Sequence, residues 1–118
     1  MRKVSFSVFW ELYREIEKGT KVSIDEFSRD KKLNGEVRKA IIELYNEVIG
    51  FVEYKTGKKE RDALVSLLEQ GNITPILLQE MLDISRVIAK INEVEDDVLY
   101  GMLVRIMEDL EELYNAVS

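Results

Sequence analysis

The chain has 118 residues, 46% of them apolar and 34% charged, with a net charge of −6 and neither cysteine nor histidine. These figures fit one globular domain, or a small domain with an appendage, and exclude a disordered chain. They also exclude disulfides, thiol nucleophiles, histidine triads and the usual zinc sites, so any metal site would need oxygen donors throughout.

The N-terminal MRKVSFSVFW starts with two cations but lacks the apolar core and small-residue cleavage site of a signal peptide. No apolar run approaches the roughly 18 residues of a membrane span, so the expected location is cytoplasmic, with no membrane partner. Residues 5–18 read as an amphipathic helix, with Phe6, Phe9, Leu12 or Tyr13, and Ile16 on one face and Trp10 as a half-buried anchor. Ser5 or Ser7 can cap its start, and Gly19 is a natural stop. Ser23 and Glu26 have capping-box spacing and open a short helix, IDEFSRDKK, which Leu33-Asn34-Gly35 breaks. Asn34 is then a good N-cap for the next helix, whose inward stripe is Val37, Ile41, Leu44 and Val48.

Gly50 costs about 1 kcal/mol relative to Ala in a helix interior, and its neighbours Val48, Ile49, Phe51 and Val52 are poor helix formers. From Phe51 the residues alternate, Phe51, Glu53 and Lys55 against Val52 and Tyr54, and Thr56-Gly57 has turn chemistry. The helix is therefore expected to end near Glu47 and a strand to begin near Phe51. One continuous helix through this region is the alternative. A further helix is expected over about 60–70, with Leu64, Leu67 and Leu68 inside and Gly71 as its stop. Thr74 then caps a helix to about Ile91, with Pro75 in its first position and Ile73 placed to staple onto Leu78. The last helix begins near Asn92, with Glu95 in its acidic first turn. In it Leu99, Leu103, Ile106, Leu110, Leu113 and Val117 form a heptad seam, widened by Met102 and Tyr114. The seam can close within the chain or against a second copy, and a homodimer is expected.

The order helix, short strand, helix, tight turn, helix and basic-tipped hairpin over residues 5–61 resembles a winged helix-turn-helix domain of prokaryotic, perhaps archaeal, transcription regulators. VSIDEF, LNGEVRKAIIELYNE and IGFVEYKTGKK carry the resemblance. It implies a mainly α fold, three helices plus a small β-hairpin wing over 1–61, with a helical extension over 62–118 for dimerisation or packing. It also implies a recognition helix that presents Asn34, Glu36, Arg38 and Lys39 to base edges in the major groove of double-stranded DNA. Lys55, Thr56, Lys58 and Lys59 would form the wing tip on flanking phosphates, and Arg29, Lys31 and Lys32 would touch the backbone.

Charge agrees with a division of labour: residues 1–61 carry a net +3 and residues 62–118 a net −9. Glutamine occurs only at Gln70 and Gln79, a weak compositional hint of a thermophilic source. The function this implies is a dimeric, sequence-specific transcriptional regulator without catalysis or cofactor. The first alternative is a protein-interaction module, winged or all-α, with Ile42 and Tyr45 in its contact surface. The second is a magnesium-dependent, all-α nucleotide pyrophosphohydrolase. It rests on Glu80-x-x-Asp83 and Glu93-x-x-Asp96, since carboxylates three apart share a helix face and two such pairs can chelate a divalent ion. EVEDDVLYGML is somewhat similar to the metal-binding helix of that family, but no metal ligands are assigned. No glycine-rich phosphate loop or G-x-S-x-G nucleophile motif occurs.

Overall fold

A computed structural model describes residues 6–118, with the side chain of Phe6 left out. Ser5 and the Phe6 side chain, expected to cap and line the first helix, lie outside the described residues. Among the described residues six helices follow one another: α1 (Phe6–Thr20), α2 (Ile24–Arg29), α3 (Lys31–Thr56), α4 (Glu60–Glu69), α5 (Pro75–Ala89) and α6 (Asp96–Val117). Among the described residues there is no strand, so the winged helix-turn-helix reading is corrected to an all-α fold.

The correction turns on α3. Its apolar stripe does not stop at Val48 but continues through Phe51 and Val52, all buried together with Ile49. The spacing from Val37 through Ile41, Leu44, Val48 and Val52 is helical throughout, and it outweighs the two-residue alternation that begins at Phe51. Burying one such side chain is worth about 1.5–3 kcal/mol, more than the roughly 1 kcal/mol that Gly50 costs. The helix ends instead at Gly57, whose positive φ of 70° and N–H bond to the Glu53 carbonyl at 2.9 Å make a left-handed cap. Thr56-Gly57 is therefore a helix stop rather than a hairpin tip.

The start of α3 also moves. Asp30, not Asn34, is its N-cap: the Asp30 carboxylate accepts the Leu33 N–H at 3.0 Å. Asp30 also closes α2, so Leu33-Asn34-Gly35 lies inside a helix instead of breaking one. Gly19 is likewise no stop. It is a buried helical position where a Cβ would stand 2.9 Å from Leu103 Cδ1 and 3.2 Å from Val37 Cγ2, so it lets α1 approach α3 and α6.

The last helix opens at Asp96, with Glu95 at its N-cap, rather than near Asn92, but other local signals hold. Ser23 Oγ accepts the Glu26 N–H, and Thr74 Oγ1 accepts the Leu77 N–H at 3.0 Å with Pro75 leading α5. Gly71, with a φ of 77°, follows α4.

Helices α1, α3 and α6 pack on one another, α2 lies on α3 and α6, and α4 and α5 extend the layer from α3 round to α6. Phe9 stacks on Tyr114 at 4.1 Å between ring centres, and the Tyr100 hydroxyl donates to the Val22 carbonyl at 2.6 Å. Leu99, Leu103, Ile106, Leu110, Leu113 and Val117 are all fully buried within the single chain. The heptad seam thus closes on α1, α3 and the chain's other helices, and no second copy is needed to cover it. Buried residues from both sides of residue 61 belong to one continuous hydrophobic cluster.

Candidate functional site

The residues expected to read DNA bases are divided by the fold. Asn34 and Arg38 lie one turn apart on α3 and point inward, 8% and 9% exposed. Asn34 Nδ2 donates to the Phe27 carbonyl at 3.2 Å and to Asp96 Oδ1 at 2.8 Å. Arg38 Nε donates to Asn34 Oδ1 at 2.7 Å, Nη2 to Asp96 Oδ1 at 2.8 Å, and Nη1 to the Ile91 carbonyl. This clasp ties α2, α3 and the α5–α6 turn to the first turn of α6. The Asn34 hydrogen bond, and then Arg38, hold the Asp96 carboxyl below the ordinary carboxylate value. Neither side chain is presented to a nucleic acid.

The remaining expected DNA contacts are scattered. Glu36 is exposed, and exposed Lys39 pairs with Glu43 at 3.8 Å. Arg29 Nε donates to the Asp25 carbonyl at 3.4 Å, and Lys31 and Lys32 are exposed in the first turn of α3. Lys55 donates to the Val117 carbonyl at 3.0 Å and lies over the Phe51 ring, so it ties α3 to the end of α6. Thr56 Oγ1 donates to the Val52 carbonyl and accepts the Lys58 N–H. Only Lys58 and Lys59 remain as a projecting basic tip, on the α3–α4 turn.

The acidic pairs do not converge. Asp96 belongs to the clasp, Asp83 pairs with Arg86 at 2.9 Å and Arg105 at 3.5 Å, and Glu80 faces Asp109. Among the described residues no group of three or more acids is placed to hold a metal ion. Asp109 is 5% exposed, and its Oδ2 finds no hydrogen-bond donor, with Arg105 Nε 3.7 Å away. Desolvation, then the hydrogen bond and charge of Glu80, raise the Asp109 carboxyl to about 7 against the pull of Arg105.

A groove of about 850 Å³ opens between the second half of α3, the α3–α4 turn, α4 and α5. Tyr45, Ile49 and Glu53 line it at four-residue spacing from α3, and Leu64 of α4 and Leu82 and Ser85 of α5 complete its floor. The Tyr45 hydroxyl is pushed above its ordinary value chiefly by burial, with its Ser85 hydrogen bond acting the other way. Tyr54, 51% exposed, stands at the edge, and Lys58, Lys59, Glu60 and Arg61 form the rim. Glu53 Oε2 accepts the Glu60 N–H at 2.7 Å, and Glu60 is the one non-glycine residue with positive φ (45°) among the described residues.

Of the Ile42 and Tyr45 surface expected for a protein partner, both side chains are partly buried against the core, and Tyr45 also lines the groove. Sequence reasoning passed over Glu53, Tyr54 and Arg61 as a groove wall because it ended α3 early. The repeat of 45, 49, 53 and 57 on one helical face was the available signal. No family model matches the chain, and neither a curated protein nor a solved structure matches it.

Proposed function

We propose that this chain is a non-catalytic protein-interaction module that receives a partner segment in the groove between α3, α4 and α5. One observation carries the reading: a half-open cavity of about 850 Å³ with an apolar floor, two tyrosines and a charged rim, built on three helices. Concave, largely apolar sites with a few convergent polar groups are where ligands dock, and a groove between helices suits a peptide segment. Rigid walls keep the ordering cost of binding on the partner's side.

A display library of short peptides, selected on the intact chain, tests the reading. Asn46→Trp, a change at an exposed groove residue, should abolish binding of the selected peptides without altering the helical circular dichroism. Selected peptides that bind the plugged chain equally well would overturn the groove assignment.

Double-stranded DNA is the second reading, supported by the exposed cations Arg29, Lys31, Lys32, Lys39, Lys58 and Lys59. Its support is weaker because Asn34 and Arg38 are occupied in the clasp and because the basic ends of the 26-residue α3 stand about 39 Å apart. Binding to random duplex at two salt concentrations tests it: a steep loss with salt together with site enrichment would favour DNA over a protein partner.

A further inference from the structure

We infer that the groove takes an acidic, amphipathic helical segment of a partner protein. The inference rests on the groove being a docking site and adds the chemistry of its occupant. Three observations carry it. Lys58, Lys59 and Arg61 follow one another round the rim, all exposed, and none forms an ion pair among the described residues. The cations outnumber the acids in the lining: Lys58, Lys59 and Arg61 stand against Glu53 and Glu60, and Glu53 has one carboxylate oxygen engaged by the Glu60 N–H. Residues 1–61, which supply the α3 wall and the basic rim, carry a net +3 against −9 for residues 62–118, so an anionic segment is drawn to the α3–α4 edge of the groove rather than to its α5 side.

The floor sets the shape of the occupant. Tyr45, Ile49, Leu64 and Leu82 form an apolar bed between helices, and the exposed ring of Tyr54 stands beside it as an anchor of the type that dominates interface energies. A helix placing apolar residues at i, i+3 or i+4, and i+7 in that bed would bring its carboxylates against Lys58, Lys59 and Arg61. A second copy of this chain is the less apt occupant, because the apolar face of its own acidic helix α6 is already buried.

The test uses two fluorescein-labelled helical peptides of about 15 residues with one apolar pattern, their polar face glutamate in one and lysine in the other. Anisotropy titrations of the full chain should show the glutamate peptide binding at least about tenfold tighter, with the gap closing as salt rises. The triple change Lys58→Glu, Lys59→Glu and Arg61→Glu, all at exposed positions, should reverse that preference. Tyr54→Ala should weaken the glutamate peptide about fivefold or more without changing its salt dependence.

Equal affinity for the two peptides, with both still blocked by Asn46→Trp, would overturn the acidic assignment and leave the groove reading standing. Binding of neither peptide, with no library peptide blocked by Asn46→Trp, would overturn both. Preference for duplex DNA over the glutamate peptide, lost in the triple variant, would also overturn the inference, by giving the rim to phosphates.

Discussion

Two aspartates on α6 meet opposite environments. Asp96, in the first turn, receives Asn34 and Arg38 and is held below its ordinary value. Asp109, further along the same helix, faces Glu80 and is raised to about 7. Both have an arginine nearby, so the presence of a cation does not explain the difference. At Asp96 the guanidinium bonds at 2.8 Å and an amide donor adds to it, whereas Arg105 stands 3.7 Å from Asp109 and also pairs with Asp83. Burial differs as well: the Asp96 side chain is 32% exposed and has two donors at bonding distance, whereas Asp109 is buried against Glu80 and its shared cation offsets little of the desolvation cost.

The comparison breaks most severely at Arg38. Arg38→Ala removes the donors to Asp96, to Asn34 and to the Ile91 carbonyl, and should cost roughly 3 kcal/mol in urea unfolding near neutral pH. Because the folded value of Asp96 is depressed, the clasp's contribution is present above the ordinary carboxylate value and lost as pH falls through the lower folded one. A loss under about 1 kcal/mol would mean that the clasp is replaceable by water.

Asp109→Asn sharpens the comparison with the opposite sign. A raised folded value means that the Asp109 carboxyl favours the folded state below its ordinary 3.8, and that this advantage is lost as pH rises towards about 7. The amide cannot ionise and can donate to Glu80. The variant should therefore gain on the parent as pH rises from about 4, and be the more stable by on the order of 2 kcal/mol at about pH 8. Parallel pH profiles for the two proteins would mean that the Asp109 carboxyl does not govern the pH dependence of stability.

The smallest effect is expected one residue from the largest. Lys39 follows Arg38, but its pair with Glu43 is long and solvated, and Lys39→Ala should change stability by less than about 0.5 kcal/mol. A larger loss in thermal unfolding would show that the α3 surface carries more than its geometry indicates.

That neighbouring pair also shows what could be read without coordinates. Asn34, Glu36, Arg38 and Lys39 are alike as polar residues beside an apolar stripe, and a resemblance to a recognition helix treats them as one exposed set. Arg38 and Asn34 turn inward because α6 delivers Asp96 and the α5–α6 turn delivers the Ile91 carbonyl, partners 58 and 53 residues from Arg38. No local pattern encodes such separations. The groove was half legible: Tyr45 stood out as an interaction residue, while Ile49 fell past the expected helix end near Glu47 and Glu53 and Tyr54 were hidden by the strand expected from Phe51. The Gly50 and Phe51 region has both periodicities at once, and only the depth of burial in α3 chooses between them.

By itself the sequence determined the elements whose signals are local. The Ser23 and Thr74 caps, Pro75 at the head of α5, Gly71 after α4 and the apolar stripes of α1 and α6 act within a turn or two of chain. Tertiary structure decided the rest: the length of α3, the burial of the α6 seam within one chain, the clasp and the groove. Each of these depends on apolar or polar partners that are distant in sequence, and their burial outweighs the propensity of Gly50 and its β-branched neighbours.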